Sequence, residues 1–250
     1  MSTNPDYYTQ QLKEIQQELR EDSSFHYGCK RFYRIVGILK RRPEMLSSES
    51  LVNICKKTRD EIFKKKHGSS FSIAYGLIWF ILLLGFGATI FVFSQTSGTI
   101  TFFFTFKPSV KFFIDNIVMG FLSQFIILGA GFPISQFVIG KVLGIKLEGF
   151  YLGTLSQPCL KKDFSSYLLA GDKRILFFSL TFISASLWLL VPGLIMIFFW
   201  ENYTGLIVTT IHFFFSIAMG IFFRKGEFYR IIREIKISKE RKILKQMYKR

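Results

Sequence analysis

Few side chains in this sequence have the types and spacing that metal chemistry or nucleophilic catalysis needs. Cysteine and histidine occur three times each, at Cys29, Cys55, Cys159, His26, His67 and His212. No two cysteines form a CxxC pair, so the pattern excludes a zinc ribbon, and three cysteines in 250 residues exclude a disulfide scaffold. Three histidines provide few ligands for a metal centre built from histidine side chains.

Two ionisable residues stand beside or within apolar stretches, where such groups suggest function. His212 lies inside one stretch, and it is either a neutral histidine packed between helices or a proton or metal site. Asp115 lies at the start of another stretch, as an interfacial helix cap or as part of an ion path. No Gly-rich phosphate loop and no Ser/His/Asp set is recognisable.

Residues 131–153 carry the most specific pattern, GFPISQFVIGKVLGIKLEGFYLG. A basic residue, Lys141, is followed by a glycine-led turn beginning at Gly144 and then by Glu148-Gly149 with aromatic residues. This order resembles the site-2 protease family of intramembrane zinc metalloproteases. In that family H-E-x-x-H on a membrane helix precedes a basic residue, a glycine-led turn and a strand.

The resemblance places non-ligating residues where the family binds zinc. Its two histidine positions correspond to Phe132 and Gln136, and its glutamate position to Pro133. Two imidazoles at i and i+4 hold zinc on one helix face while the glutamate moves protons, and phenylalanine and proline do neither. The family's third ligand, an Asp beside Gly, has a weak counterpart in Glu227. The resemblance therefore implies a catalytically inactive relative without zinc, with a hairpin at 147–157.

Four uncharged stretches must position these residues: 71–93, 116–140, 175–200 and 202–223. As helices they are about 33–39 Å long, enough to cross a hydrocarbon core of roughly 30 Å. Seventy mostly polar residues precede the first stretch, so it is not a signal peptide. The chain is predicted to have a 1–70 cytosolic region, a 71–223 transmembrane domain and a 224–250 basic C-terminal helix.

Charge predicts the orientation of these segments. The chain has a net charge of +16, and residues 1–70, 141–174 and 224–250 contain 31 of the 33 Lys and Arg residues. The positive-inside rule places both termini in the cytoplasm. The run Lys64–Lys66 suits anionic lipid headgroups, and the charge needs no nucleic acid to explain it.

The N-terminal region reads as three helices. Residues 6–20 lack Pro and Gly, and residues 25–39 repeat apolar side chains at three- and four-residue spacing. Arg42-Pro43 ends the second helix, and Ser47 or Ser48 caps the third. Two interpretations are open: amphipathic helices lying on the membrane or the bundle, or a small domain that docks a partner.

The sequence thus predicts an all-α polytopic integral membrane protein with about four transmembrane helices, a helical cytosolic N-terminal region and a basic C-terminal helix, in the cell membrane. Its first functional hypothesis is an inactive site-2-protease-like protein that binds or scaffolds single-span membrane proteins. The alternatives are an unrelated four-helix protein of structural or transport-associated role and an active intramembrane protease with an atypical site.

Overall fold

A computed structural model describes residues 4–21, 24–105, 118–152, 158–201, 203–222 and 227–247. These residues are helical apart from one β-hairpin. The elements in chain order are α1 Pro5–Arg20, α2 Phe25–Arg41, a 3₁₀ turn Pro43–Ser47, α3 Glu49–His67, α4 Ile73–Thr105, α5 Met119–Leu143, β1 Leu147–Leu152, β2 Pro158–Lys162, α6 Phe164–Leu169, α7 Lys173–Leu187, a 3₁₀ turn Trp188–Leu190, α8 Val191–Trp200, α9 Tyr203–Phe222 and α10 Glu227–Met247.

The chain divides into two compact units, each built from separated segments. The composite unit comprises Met1–Ser72, Gly140–Phe177 and Ile231–Arg250. The apolar unit comprises Ile73–Ile139 and Phe178–Arg230. The N-terminal region and the C-terminal helix, which the sequence treated separately, therefore belong largely to one unit together with the segment that follows α5.

Local capping explains where the N-terminal helices begin and end. The Asn4 side chain accepts a hydrogen bond from the Asp6 backbone N–H at the start of α1. Pro43 cannot continue α2 and begins the 3₁₀ turn instead. Ser48 then accepts from the Leu51 N–H at the start of α3, so the predicted Ser48 cap is confirmed.

The first three helices bury a shared core in the composite unit. Their inward faces meet in a cluster that includes Leu12, Ile15, Phe32, Leu39, Leu51, Cys55 and Ile62, all nearly or fully inaccessible to solvent. Phe164 and Leu168 of α6 join the same cluster. Such shared burial is typical of a folded helical domain, because separate surface helices would leave these faces to the lipid.

The predicted hairpin is present and docks on α3. β1 pairs antiparallel with β2 from Leu147↔Lys162 to Leu152↔Pro158, so the second strand lies beyond the expected 147–157 range. Phe71 forms a bridge to Phe150 through hydrogen bonds of 2.6 and 3.0 Å. The Phe71 carbonyl comes so close to Gly149 that a Cβ there would lie 2.5 Å from the oxygen, and this explains the glycine.

Three helical segments are long and apolar enough to cross a membrane: Ile73–Gln95, Met119–Leu143 and Lys173–Phe199. They correspond to the first three predicted stretches. The fourth stretch forms α9, in which Gly205–Ile221 is the apolar part. The β-branched and aromatic residues 99–106 predict a strand or an interfacial loop from the sequence alone. Residues 99–105, the part of this segment that the structure describes, continue α4 as a helix instead.

The third segment is not a continuous α-helix. A 3₁₀ turn at Trp188–Leu190 separates α7 from α8. It lies just before Pro192, and a proline within an apolar stretch predicts a kink from the sequence alone. At the other end of α8, Glu201 adopts a left-handed conformation with φ 50° and stops the helix. α9 begins two residues later and packs back on α8, so Glu201 stands at the turn between two antiparallel helices.

Candidate functional site

The positions equivalent to the zinc ligands lie on the second half of α5. Pro133 and Gln136 are buried within the apolar unit and Phe132 is half-buried. The neighbouring Ser135 hydroxyl donates to the Ser184 hydroxyl over 3.0 Å. It also accepts from the Trp188 indole N–H at 3.1 Å, so this surface is held by neutral hydrogen bonds.

The part of the chain that the structure describes contains no group of three His, Cys, Asp or Glu side chains placed to hold a metal ion. Glu227 begins α10, but its side chain lies outside the description. Asp115 lies outside the described residues altogether.

His212 is packed between helices of the apolar unit. Its Nδ1 lies 2.8 Å from the Val208 carbonyl oxygen, one turn earlier in α9. The ring meets Phe121 edge-on with centroids 4.2 Å apart. Its Nε2 is buried without a hydrogen-bond partner among the described residues. These contacts match the packed interpretation of this histidine.

Gln124 on α5 was not singled out by the sequence. It is 3% exposed, and neither of its amide atoms has a hydrogen-bond partner among the described residues. An unpaired buried amide costs about 1–3 kcal/mol. The sequence could have indicated Gln124, because this glutamine lies inside an apolar stretch.

The most extensive buried polar arrangement lies in the composite unit, around Glu234 of α10. One carboxylate oxygen of Glu234 accepts from Lys40 Nζ of α2 at 2.5 Å. The other accepts from Arg174 Nε of α7 at 2.9 Å. The Glu234 and Arg174 side chains are each 1% exposed. We call Lys40, Arg174 and Glu234, with Tyr167, the charge cluster.

The remaining groups of the charge cluster are also satisfied. Arg174 donates to the Leu168 carbonyl at 2.8 Å. Lys40 donates to the Tyr167 hydroxyl at 3.2 Å and lies over its ring, with Nζ 4.7 Å from the centroid. Arg241 of α10 donates twice to the Lys40 carbonyl, at 3.0 and 3.2 Å. Four elements, α2, α6, α7 and α10, are thereby joined.

Burial and charge act against each other at this cluster. Burial lowers the pKa of Lys40 to about 8, although the Glu234 carboxylate opposes the shift. Burial pushes the pKa of Glu234 upward, but Lys40 and Arg174 outweigh it and hold that pKa below its ordinary value. The carboxylate is therefore ionised at neutral pH, and its single negative charge offsets part of the positive charge of the two cations.

The charge cluster is suited to holding chain segments together rather than to catalysis, because protein partners engage every charged group. Sequence reasoning missed it. One signal was available: Ile231, Glu234, Ile237 and Arg241 recur at three- and four-residue spacing, which places a glutamate in the middle of a half-apolar helix face. Its partners lie 194 and 60 residues away in the chain, so no local pattern names them.

Comparisons with protein-family models, curated proteins and solved structures find no match to this chain.

Proposed function

We propose that four helical segments cross the membrane and that the composite unit lies on the cytoplasmic side as a scaffold for other membrane proteins. The charge cluster supports the topological part of this proposal, the number of membrane crossings. Lys40, Arg174 and Glu234 belong to three segments of the chain, and two apolar stretches separate each segment from the next.

Parity supports the fourth crossing. Segments that fold together must lie on the same face of the membrane. Between Lys40 and Arg174 the chain passes through α4 and α5, which gives two crossings. Between Arg174 and Glu234 it passes through the α7–α8 segment and α9. If the α7–α8 segment crossed and α9 did not, Glu234 would lie on the opposite face from Arg174. At 20 residues, α9 is about 30 Å long and can reach across.

Charge supports the cytoplasmic assignment. Residues 1–70, 141–174 and 224–250 contain 31 of the 33 Lys and Arg residues. These ranges nearly coincide with the composite unit. The positive-inside rule retains such segments in the cytoplasm.

The scaffold role rests on α5 and the segment that follows it. The order of elements implied by the site-2 protease resemblance is present, since α5 ends at Leu143, Gly144 turns with φ 76° and β1 follows at Leu147. The ligand positions hold Phe132, Pro133 and Gln136, which supply neither an imidazole nor a carboxylate. Pro133 and Gln136 are buried, so half-buried Phe132 is the position of the three that offers apolar contact to a neighbouring transmembrane helix.

Single-cysteine labelling tests the topology. In a chain whose native cysteines are replaced by serine, cysteine is placed at exposed Lys57, Lys146, Lys239 or Glu201 and treated with a membrane-impermeant thiol reagent. We expect the first three positions to react only from the cytoplasmic side and position 201 only from the other side. Reaction of position 239 from the side of position 201 would overturn the four-crossing topology.

Site-specific photo-crosslinking tests the scaffold role. A photoreactive residue at Phe132 is expected to capture single-span membrane proteins, and the control is Phe137, which is half-buried on the same helix. Equal capture at both positions would contradict a binding surface. Stoichiometric, chelator-sensitive zinc in the purified protein would contradict the proposal and point to another metal site. Cleavage of a reporter span that Glu227→Ala abolishes would indicate an active protease instead.

A further inference from the structure

A cavity of about 440 Å³ lies within the composite unit, and nothing in the proposed scaffold role uses it. It opens between the end of α5 and the start of α7. Its lining combines two lysines, hydroxyl groups and apolar side chains: Leu143, Gly144, Lys146, Asp163, Ser165, Ser166, Leu169, Ala170 and Lys173.

The cavity sits where two apolar segments end. Leu143 is the last residue of the Met119–Leu143 segment, and Lys173 is the first of the Lys173–Phe199 segment. If both segments cross the membrane, the ends that meet here lie at the level of the lipid headgroups. Two apolar side chains at this place are exposed. Val142, which precedes the lining residue Leu143, is 78% exposed, and the lining residue Leu169 is 56% exposed.

The two lysines lack an acidic partner among the residues that the structure describes. Within the described part of the chain, neither the Lys146 nor the Lys173 ammonium forms an ion pair or a hydrogen bond. Two cations that line one cavity repel each other, and an anion between them relieves that repulsion. Lysine is also a common binder of phosphate groups.

The nearby carboxylates are already engaged. Asp163, the acidic residue in the lining, binds Lys56 and accepts from the Ser166 N–H at 2.8 Å. Asp172 pairs with Arg241 at 3.2 Å. Asp163 therefore does not neutralise Lys146 or Lys173.

One hydroxyl group is available to a ligand, since the Ser166 hydroxyl already donates to the Asp163 backbone carbonyl at 3.1 Å. Ser166 is positioned by the Lys146 backbone N–H, which donates to its Oγ over 2.9 Å. This bond also fixes the start of the hairpin beside α6, and so places Lys146 at the cavity. The Ser165 hydroxyl has no partner among the described residues and can donate to a phosphate oxygen.

We infer that this cavity binds the phosphate group of an anionic lipid, with Lys146 and Lys173 on the phosphate and Leu169 against the lipid's apolar part. Free phosphate offers the same anionic chemistry, but it lacks the chain that the exposed apolar residues would cover. The inference rests on the proposed crossings of α5 and α7, which the cysteine labelling tests separately.

The test uses the full chain in detergent micelles and measures binding of a fluorescent short-chain phosphatidic acid, with phosphatidylcholine and inorganic phosphate as competitors. We expect Lys146→Gln with Lys173→Gln to weaken binding of phosphatidic acid at least tenfold. The matched control, Lys30→Gln with Lys57→Gln, removes the same charge from exposed positions on α2 and α3 and should change binding less than twofold.

Three outcomes would overturn the inference: unchanged binding in the cavity variant, equal loss in the control, or competition by inorganic phosphate as strong as that by unlabelled phosphatidic acid. An unchanged unfolding midpoint for both variants shows that they are folded. Loss of the lipid site with an intact labelling pattern would reject this inference alone and leave the topology standing.

Discussion

Glu234 carries a single negative charge between two buried cations, and Glu234→Gln keeps the size of the side chain while removing that charge. We expect the variant to lose about 3 kcal/mol of unfolding free energy, because Lys40 and Arg174 remain buried without a counter-charge. Chemical unfolding of the composite unit in detergent, followed by circular dichroism, measures the loss.

Glu240→Gln on the same helix is the matched control. Glu240 pairs with Arg41, but both side chains are about one third exposed. Water screens such a pair, so its removal should cost less than about 1 kcal/mol. Equal effects of the two substitutions would contradict a special role for the charge cluster.

The same residue predicts an acid dependence. Because the pKa of Glu234 lies below its ordinary value in the folded protein, the unfolded chain takes up this proton at a higher pH than the folded protein does. Its contribution to stability is complete above the ordinary carboxyl pKa and is lost as the pH falls through the folded value. The stability difference between wild type and Glu234→Gln should therefore shrink below about pH 4.5. A difference that stays constant down to pH 3 would exclude this linkage.

At this scale a local pattern can be compared residue by residue, whereas a long-range arrangement cannot. Phe132, Pro133 and Gln136 could be compared with a metal-binding pattern because the pattern is local. The charge cluster could not be found in that way, since its members are brought together only by the packing of α2, α7 and α10.

At the scale of elements, substitution of two glycines of α5 that lie two residues apart is expected to have opposite effects on stability. A Cβ at Gly131 would lie 2.6 Å from the Trp188 ring, whereas a Cβ at Gly129 would meet nothing within 4 Å. Gly131→Ala should destabilise the apolar unit by about 1–3 kcal/mol through overpacking. Gly129→Ala should stabilise it by up to about 1 kcal/mol through helix propensity.

Thermal unfolding in detergent compares these two variants. In a background with Trp79 and Trp200 replaced by Phe, Trp188 fluorescence adds a local readout, because its indole donates to Ser135, one turn after Gly131. A spectrum shifted by Gly131→Ala but not by Gly129→Ala would locate the clash at this ring. Destabilisation of equal size in both variants would argue against it.

Elements themselves were largely predictable because their signals are local. Pro43 and Ser48 mark helix boundaries through missing or added hydrogen bonds, and apolar length marks the helices that can cross a membrane. Residues 99–105 are the exception: their β-branched and aromatic side chains predicted a strand or loop, but the backbone continues α4. Strand propensity is a weak preference that the helix context overrides here.

At the scale of the whole molecule, the composite unit could not be read from the sequence. A linear division into 1–70, 71–223 and 224–250 follows hydropathy, and hydropathy carries no information about which polar segments fold together. Long-range ion pairs such as Lys56 with Glu148 and Lys161 with Asp60 join the N-terminal helices to the hairpin. The N-terminal region is therefore not expected to fold fully without the segments that follow α5 and α9.

Truncation after Arg230 tests this dependence, because it removes nearly all of α10 together with Glu234 and Arg241. Cys29 and Cys55 are buried in the N-terminal core, and burial raises the pKa of the Cys55 thiol to about 12, so both should resist thiol reagents in the intact chain. In the truncated chain Lys40 and Arg174 lose their carboxylate, and we expect both cysteines to react within minutes. A chain ending at Arg241 keeps the charge cluster and should protect them. If Cys29 and Cys55 stay protected in the chain ending at Arg230, the N-terminal helices form a domain of their own and α10 is only an appendage to it.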